Sequence, residues 1–336
     1  MKDFWKKQIE KQGKLVFLAP MDGYWDSAYR QSMKRVAPDI FCISEFYSAD
    51  GLVHSKFLGD AVLPHTPIED PLIIQIFWKD PEMFARAAKI IENPKYNIAG
   101  IDVNMWCPAK KVVKSGHGSS LLINEDTAFQ IVESLNKATK LPISVKTRLS
   151  FDGNQDLIKF AKGLENAGCS LLTVHGRTAK QAYTWHADFT NIREVKKHIQ
   201  IPLICNGDIK NFDDGMQKVW DLDGFMIGRG SFGNPWAFLK GSYQPTLAEI
   251  LEAMEFHALK LVETKWEKKW NLEIRKHLVQ YLRHFPWVKA YRKRLVTTES
   301  FDNTSSIITE IRTDFHDFLQ KRPGLNEIEQ EDLENS

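Results

Sequence analysis

Between residues 15 and 230, short apolar runs alternate with amphipathic helical stretches. The runs lie at 15–19, 40–45, 72–77, 98–105, 142–149, 171–176, 202–208 and 224–230. Segments with helical spacing of apolar residues separate them, among them 81–92, 125–138, 157–167 and 189–198. A strand that must be followed by a helix before the next strand can pair only in parallel. Eight such units fit a closed (β/α)8 barrel better than an open sheet. No G-x-G-x-x-G follows the first run, which counts against an open dinucleotide-binding fold. The chain has 336 residues, 43% of them hydrophobic, enough for a large core and a second domain.

Beyond Thr246 the strand-like alternation stops and helical spacing takes over. Between Phe256 and Arg294 eleven Lys or Arg face only Glu263, Glu267 and Glu273. The net charge is just +2, so any affinity for nucleic acid must come from this local excess. The sequence therefore predicts a catalytic barrel over 1–242, a basic helical domain over 243–322 with Trp266, Trp270, Tyr281 and Trp287 in its core, and a solvated acidic tail over 323–336. Cys42, Cys169 and Cys205 sit in or beside apolar runs, and no C-x-x-C occurs, so neither a structural metal nor a redox dithiol is expected. The N-terminus lacks the apolar run of a signal peptide, and no segment reaches the ~20 apolar residues of a membrane span. These features predict a cytoplasmic monomer.

In a barrel of this kind the reactive residues stand at the C-terminal ends of the strands. The first run ends in Pro20-Met21-Asp22-Gly23, the second in Glu45, and the third carries Gln75. The fourth ends in Asn104 and leads through Trp106 to Cys107-Pro108, where proline forbids further strand pairing. Cys107 thus has a loop address, with Lys110 and Lys111 close by, where a thiol can serve as acid, nucleophile or metal ligand. The fifth run holds Lys146 and Arg148, and the sixth ends in His175-Gly176-Arg177-Thr178. The seventh ends in Asn206-Gly207-Asp208 and the eighth in Gly228-Arg229-Gly230. Singly, each has a bland explanation: a strand lysine snorkels and a glycine turns the chain. Together they suit a phosphorylated planar cofactor. The glycines and Arg229 would grip phosphate at strands seven and eight, Gln75 would meet a heterocycle's edge, and Lys146 would balance its charge.

The segments Leu18-Ala19-Pro20-Met21-Asp22-Gly23, Asp102-Val103-Asn104-Met105-Trp106-Cys107-Pro108, Ser144-Val145-Lys146-Thr147-Arg148, Val174-His175-Gly176-Arg177-Thr178, Asn206-Gly207-Asp208-Ile209 and Ile227-Gly228-Arg229-Gly230 occur in the order in which they occur in the tRNA-dihydrouridine synthases, and the chain resembles that family over about residues 13 to 320. The resemblance implies FMN as bound cofactor, NADPH as reductant and the D-loop or elbow of tRNA as substrate. It implies Cys107 as proton donor and Asn104 beside the target uracil. It places Pro20, Met21, Asp22, Gln75, Lys146, His175, Asn206, Gly207, Asp208, Gly228 and Arg229 around the flavin. Trp106 departs from the glycine that the family usually has before Cys-Pro, and Asp22 is a milder departure. Arg177 is expected at the substrate, and Arg292, Lys293 and Arg294 are expected to touch phosphate because the excess charge is local. Two other readings stand beside this one: a flavin barrel acting on a free pyrimidine, of the dihydroorotate dehydrogenase type, and an idle RNA-binding barrel. The first would not need the basic helices; intact Cys107, Lys146 and His175 argue against the second.

Overall fold

The computed structural model describes residues 3–107, 116–264, 267–283, 285 and 288–322, the side chains at 267–271 excepted. Eight strands form a closed barrel: β1 (Leu15–Leu18), β2 (Phe41–Ser48), β3 (Leu72–Phe77), β4 (Gly100–Met105), β5 (Ile143–Arg148), β6 (Leu171–His175), β7 (Leu203–Asn206) and β8 (Gly224–Ile227). Each strand pairs in parallel with the next, and β8 pairs with β1 to close the ring. The (β/α)8 expectation is met. Helices Glu125–Ala138 and Leu157–Ala167 begin and end where their apolar spacing does. Asp156 caps the second through the amides of Ile158 and Lys159. Gly168 ends that helix in the left-handed conformation that a residue without Cβ adopts cheaply.

Strands β4, β7 and β8 are shorter than expected, and one strand is longer. The second strand does not end at Glu45 but runs on to Ser48. Its pairing with β3 shifts between Ile43 and Phe46, and such an irregularity lets a strand continue past a point where the alternation of apolar residues breaks.

The chain divides into two compact units. The first comprises 1–23, 39–210 and 214–228 and contains the whole barrel. Its core is the apolar filling contributed by every strand, and β1, β3, β4, β5, β6, β7 and β8 are almost wholly buried. The second comprises 24–38, 211–213 and 229–336. In it helix Ser27–Val36 contributes Ala28 to a core shared with Leu251, Met254 and Leu261 of helix Leu247–Thr264 and Ile307 and Ile311 of helix Phe301–Asp314. Tyr281 is buried there as expected, whereas Trp266, Trp287, the Trp270 side chain and the 323–336 tail lie outside what is described. Among the described residues no helix is long and apolar enough to cross a membrane.

The β1–β8 seam has no room for a side chain at Gly224. A Cβ there would stand 2.0 Å from the Leu15 carbonyl oxygen, a backbone atom that cannot move without opening the ladder. Gly224→Ala is expected to cost at least about 3 kcal/mol, the upper range for overpacking. Urea unfolding monitored by circular dichroism checks it.

Candidate active site

Side chains alternate across a strand, so the register decides what enters the barrel. Asn104 pairs with Lys146, which pairs with Thr173, and two residues further on Arg148 pairs with His175, which pairs with Asn206. These rows send Asp102 and Asn104, then Ser144, Lys146 and Arg148, then Thr173 and His175, then Asn206 toward one mouth. Cys107 follows β4 directly.

A chain of buried hydrogen bonds fixes that position. The Ser144 hydroxyl donates to Asp102 Oδ1 at 2.6 Å, and Gln75 Nε2 donates to Asp102 Oδ2 at 2.7 Å. Asn104 Nδ2 donates to Gln75 Oε1 at 2.9 Å. The other end of the Asn104 amide, Oδ1, receives the backbone N–H groups of Trp106 at 3.4 Å and Cys107 at 3.2 Å. The Cys107 carbonyl then accepts from the Ser119 amide at 3.1 Å. Burial lifts the Asp102 carboxyl from 3.8 to about 6, and the bonds from Ser144 and Gln75 and the nearby Lys146 charge work against that rise.

Two cations meet at the mouth. Lys146 is 1% exposed, and its Nζ has no hydrogen-bond partner among the described residues. It lies 3.7 Å from the centre of the Trp106 ring, an attraction of charge for the ring face. Burial first, and then Arg148, hold its ammonium well below the usual lysine range. Arg148 donates Nε to the Trp106 carbonyl at 2.9 Å, and its Nη2 has no partner among the described residues. Burial pushes its guanidinium down to about 10. Cys107 is near enough to bear on the charge of both. His175 Nδ1 meets Asn206 Oδ1 at 2.9 Å, and Asn206 Nδ2 is spent on the Met226 carbonyl. His175 therefore carries its proton on Nδ1, leaving Nε2 to accept from Arg177 Nη1 at 3.3 Å. Burial and the surrounding cations keep this imidazole neutral, well below its ordinary titration.

Residues 17–318 match the dihydrouridine synthase (Dus) family. Over 309 residues the chain is 34% identical to the probable tRNA-dihydrouridine synthase 1 of Synechocystis sp., spanning 88% of this chain and 85% of that protein. It is also 34% identical to tRNA-dihydrouridine synthase B of Pasteurella multocida, over 80% of this chain and 83% of that one.

The chain belongs to the dihydrouridine synthase family.

Against that family the expected residues divide into groups. Asn104, Gln75, Lys146, His175 and Asn206 do come together with Cys107 in the barrel mouth. Both ends of the Gln75 amide already serve Asp102 and Asn104, so it retains one N–H and one lone pair for a ligand. Arg177 is largely committed to the β6 loop: Nε reaches the Thr184 and Trp185 carbonyls, and Nη2 reaches the Trp185 carbonyl and Asp208. Asp208 also accepts the Ala187 amide at 2.9 Å, so it too shapes this loop. Gly207 has φ +120°, and a Cβ there would crowd Ala187 at 2.7 Å, which is why glycine stands at this turn. Pro20, Met21 and Asp22 follow β1, and Gly228 follows β8. Arg229 begins the last stretch of the second unit.

In that second unit the three basic residues of helix Lys289–Leu295 differ. Arg292 Nη2 donates to the Arg283 and Phe285 carbonyls, Arg294 pairs with Glu310 through both Nη atoms, and Lys293 is exposed. Pro108, Lys110 and Lys111 lie outside the described residues. Asp102 and Ser144 were not singled out as site residues from sequence, and Arg148 was noted at its strand end without a role. The sign was present: polar residues at alternate positions of two otherwise buried strands.

Asp102→Asn is expected to destabilise the enzyme by about 1–3 kcal/mol, because an amide N–H would face the Gln75 or Ser144 donor. A raised carboxyl pKa means that the folded chain binds the proton more tightly than the unfolded one. The stability that Asp102 contributes therefore falls as pH rises from 3.8 through about 6. The gap between wild type and variant narrows over that window, as urea titrations at several pH values will read.

Proposed function

We propose the following division of labour within the flavin-dependent tRNA-dihydrouridine synthase activity that family membership gives this chain. The cofactor is FMN, the reductant NADPH, and the substrate a uridine of the tRNA D-loop or elbow. The observation that carries the reading is the pair of buried cationic donors, Lys146 Nζ and Arg148 Nη2, left without partners among the described residues and near Cys107. Unpaired buried cations are costly, and a planar ring with an electron-rich edge is the ligand that relieves them. These residues fit a flavin. Lys146 and Arg148 would face its negative edge, and the spare Gln75 N–H and lone pair would meet its heterocycle. Asn206, Gly207 and Gly228 lie at the strands where such barrels hold phosphate.

When bound, the flavin supplies the hydride that reduces the C5–C6 bond of uracil. The chain supplies the proton. His175 is held neutral with its proton given to Asn206, and Asp102 is locked behind Gln75. The Cys107 thiol, beside the cations at the mouth, serves as the general acid. Asn104 holds the Cys107 backbone and keeps one N–H for the uracil. Arg177 holds the β6 loop. The target base must leave its stack to reach this depth, which folded RNA allows at the D-loop more cheaply than a duplex does. The basic helical domain, 243–322, provides the electrostatic grip on tRNA. Mass spectrometry of tRNA from a deletion strain tests the whole reading: loss of a dihydrouridine is expected, and unchanged tRNA would point to a free pyrimidine as substrate.

Cys107→Ala is expected to bind flavin and tRNA normally and to form dihydrouridine at least about 100-fold more slowly, the usual contribution of a general acid. NADPH oxidation without tRNA should persist. Dihydrouridine formed at the wild-type rate would remove Cys107 from its role.

Lys289 and Lys293 are exposed and stand one turn apart on the same helix face. Reversing both to Glu avoids disturbing Arg292 and Arg294, which hold structure. The double variant should weaken tRNA binding and lower the slope of log affinity against log salt by about 1–2. Flavin content should not change. Binding isotherms at several salt concentrations decide it.

A further inference from the structure

The loop that follows β6 exposes Tyr183, Thr184, Trp185 and His186 in succession. Trp185 is 81% exposed, an unusual position for the most apolar of large rings. Its backbone is also in the left-handed region, at φ +64°, where a bulky residue is strained and glycine is the default. Ala182 shares that conformation at φ +49°.

The chain keeps both residues there by force. Arg177 binds the Trp185 carbonyl through Nε at 3.0 Å and through Nη2, and is itself anchored to Asp208. Arg148 Nη1 binds the Ala182 and Thr178 carbonyls, each at 2.9 Å. The Ala187 and Asp188 amides close the loop on Asp208 and on the Gly176 carbonyl. Tyr183 sits with its ring 5.8 Å from the Arg148 guanidinium and edge-on to His175 at 6.5 Å, so the loop adjoins the reaction centre. Two buried arginines of the active site thus hold an exposed indole rigidly beside the barrel mouth.

We propose that Trp185 is a substrate-contact residue on whose ring an unstacked nucleobase of the tRNA, next to the target uridine, stacks. This rests on tRNA being the substrate and assigns one of its contact points. A solvent-facing aromatic ring on an immobile backbone is what single-stranded nucleic acid recognises irrespective of sequence, because every base has a π-face. Extruding the target leaves its neighbour without a stacking partner, and the indole replaces that partner.

The experiment uses the full-length, flavin-loaded enzyme with Trp185→Gly and Trp185→Phe. Glycine accepts φ +64° freely, so Trp185→Gly should fold with unchanged or higher Tm and unchanged flavin content. Its KM for tRNA should rise by about 10-fold or more, in keeping with loss of one base stack, while kcat changes less. Trp185→Phe, which keeps a ring, should recover part of the loss. In parallel, the fluorescence quenching that a short single-stranded oligoribonucleotide produces in the wild type should shrink in Trp185→Phe, and a duplex of the same sequence should give no such difference. Unchanged KM and quenching in the variants, in an enzyme that forms dihydrouridine, would overturn the platform while leaving the function intact. A lower Tm or lost flavin in Trp185→Gly would also overturn it, by making the indole structural. Absence of dihydrouridine in the wild type would instead defeat the functional reading, and the quenching assay, which needs no turnover, would still judge the platform.

Discussion

The Asp102 carboxylate is the constraint around which the mouth of this barrel is organised. It is fully buried, and it receives Ser144 from β5 and Gln75 from β3. Because its two oxygens are occupied, the Gln75 amide has one possible orientation, and so in turn does Asn104. Asn104 then dictates the backbone of Trp106 and Cys107 by accepting both N–H groups. A buried polar chain of this kind is stable only when each member is satisfied, so none can change independently of the others. The backbone of Trp106 and Cys107 is thus held in place from three strands. The carboxylate costs free energy to bury, and the nearby Lys146 charge offsets part of that cost.

The same mouth carries a deliberate imbalance. Among the described residues Lys146 and Arg148 have donors without partners, and His175, which could have taken up a charge, is kept neutral by burial first and then by these cations. A site of this composition repels protons and attracts electron density. Such a field favours a reduced, anionic ring over an oxidised neutral one. It also keeps the imidazole uncharged. Trp106 belongs to the same balance, since its ring face lies against the Lys146 ammonium.

Most of the barrel was legible because its signal is local. Two helices, 125–138 and 157–167, and strand β3 have the bounds that their apolar spacing gives. The strand-end residues were legible because the fold assigns them a place: once eight strands close, Lys146, His175 and Asn206 have one mouth to face. The extension of β2 past Glu45 was not legible, since a register shift is decided by the neighbouring strand. Nor were the partners of Arg177 and Asp208. Sequence shows that an arginine and an aspartate stand at strand ends, but not that they bind each other and a loop. The basic helices illustrate the same limit: a run of Arg292, Lys293 and Arg294 looks uniform, yet two of the three are engaged with carbonyls and with Glu310. Charge counts cannot separate a guanidinium that holds structure from one that meets solvent.

What the strands share with the family and what the loops do differently have separate physical origins. Inside the barrel each side chain is tied to several neighbours, so Asn104, Lys146 and His175 can hardly drift. Outside it a loop needs only to satisfy its backbone, and buried arginines do that here through carbonyls, which every residue type possesses. A clamp on carbonyls is indifferent to the side chain it displays. It can therefore hold a tryptophan at a φ suited to glycine, and Trp185 shows the result. Trp106 is held likewise, by Arg148 on its carbonyl and Asn104 on its amide, with its ring directed onto Lys146. The aromatic residues at the mouth can thus differ without disturbing the strands that hold them.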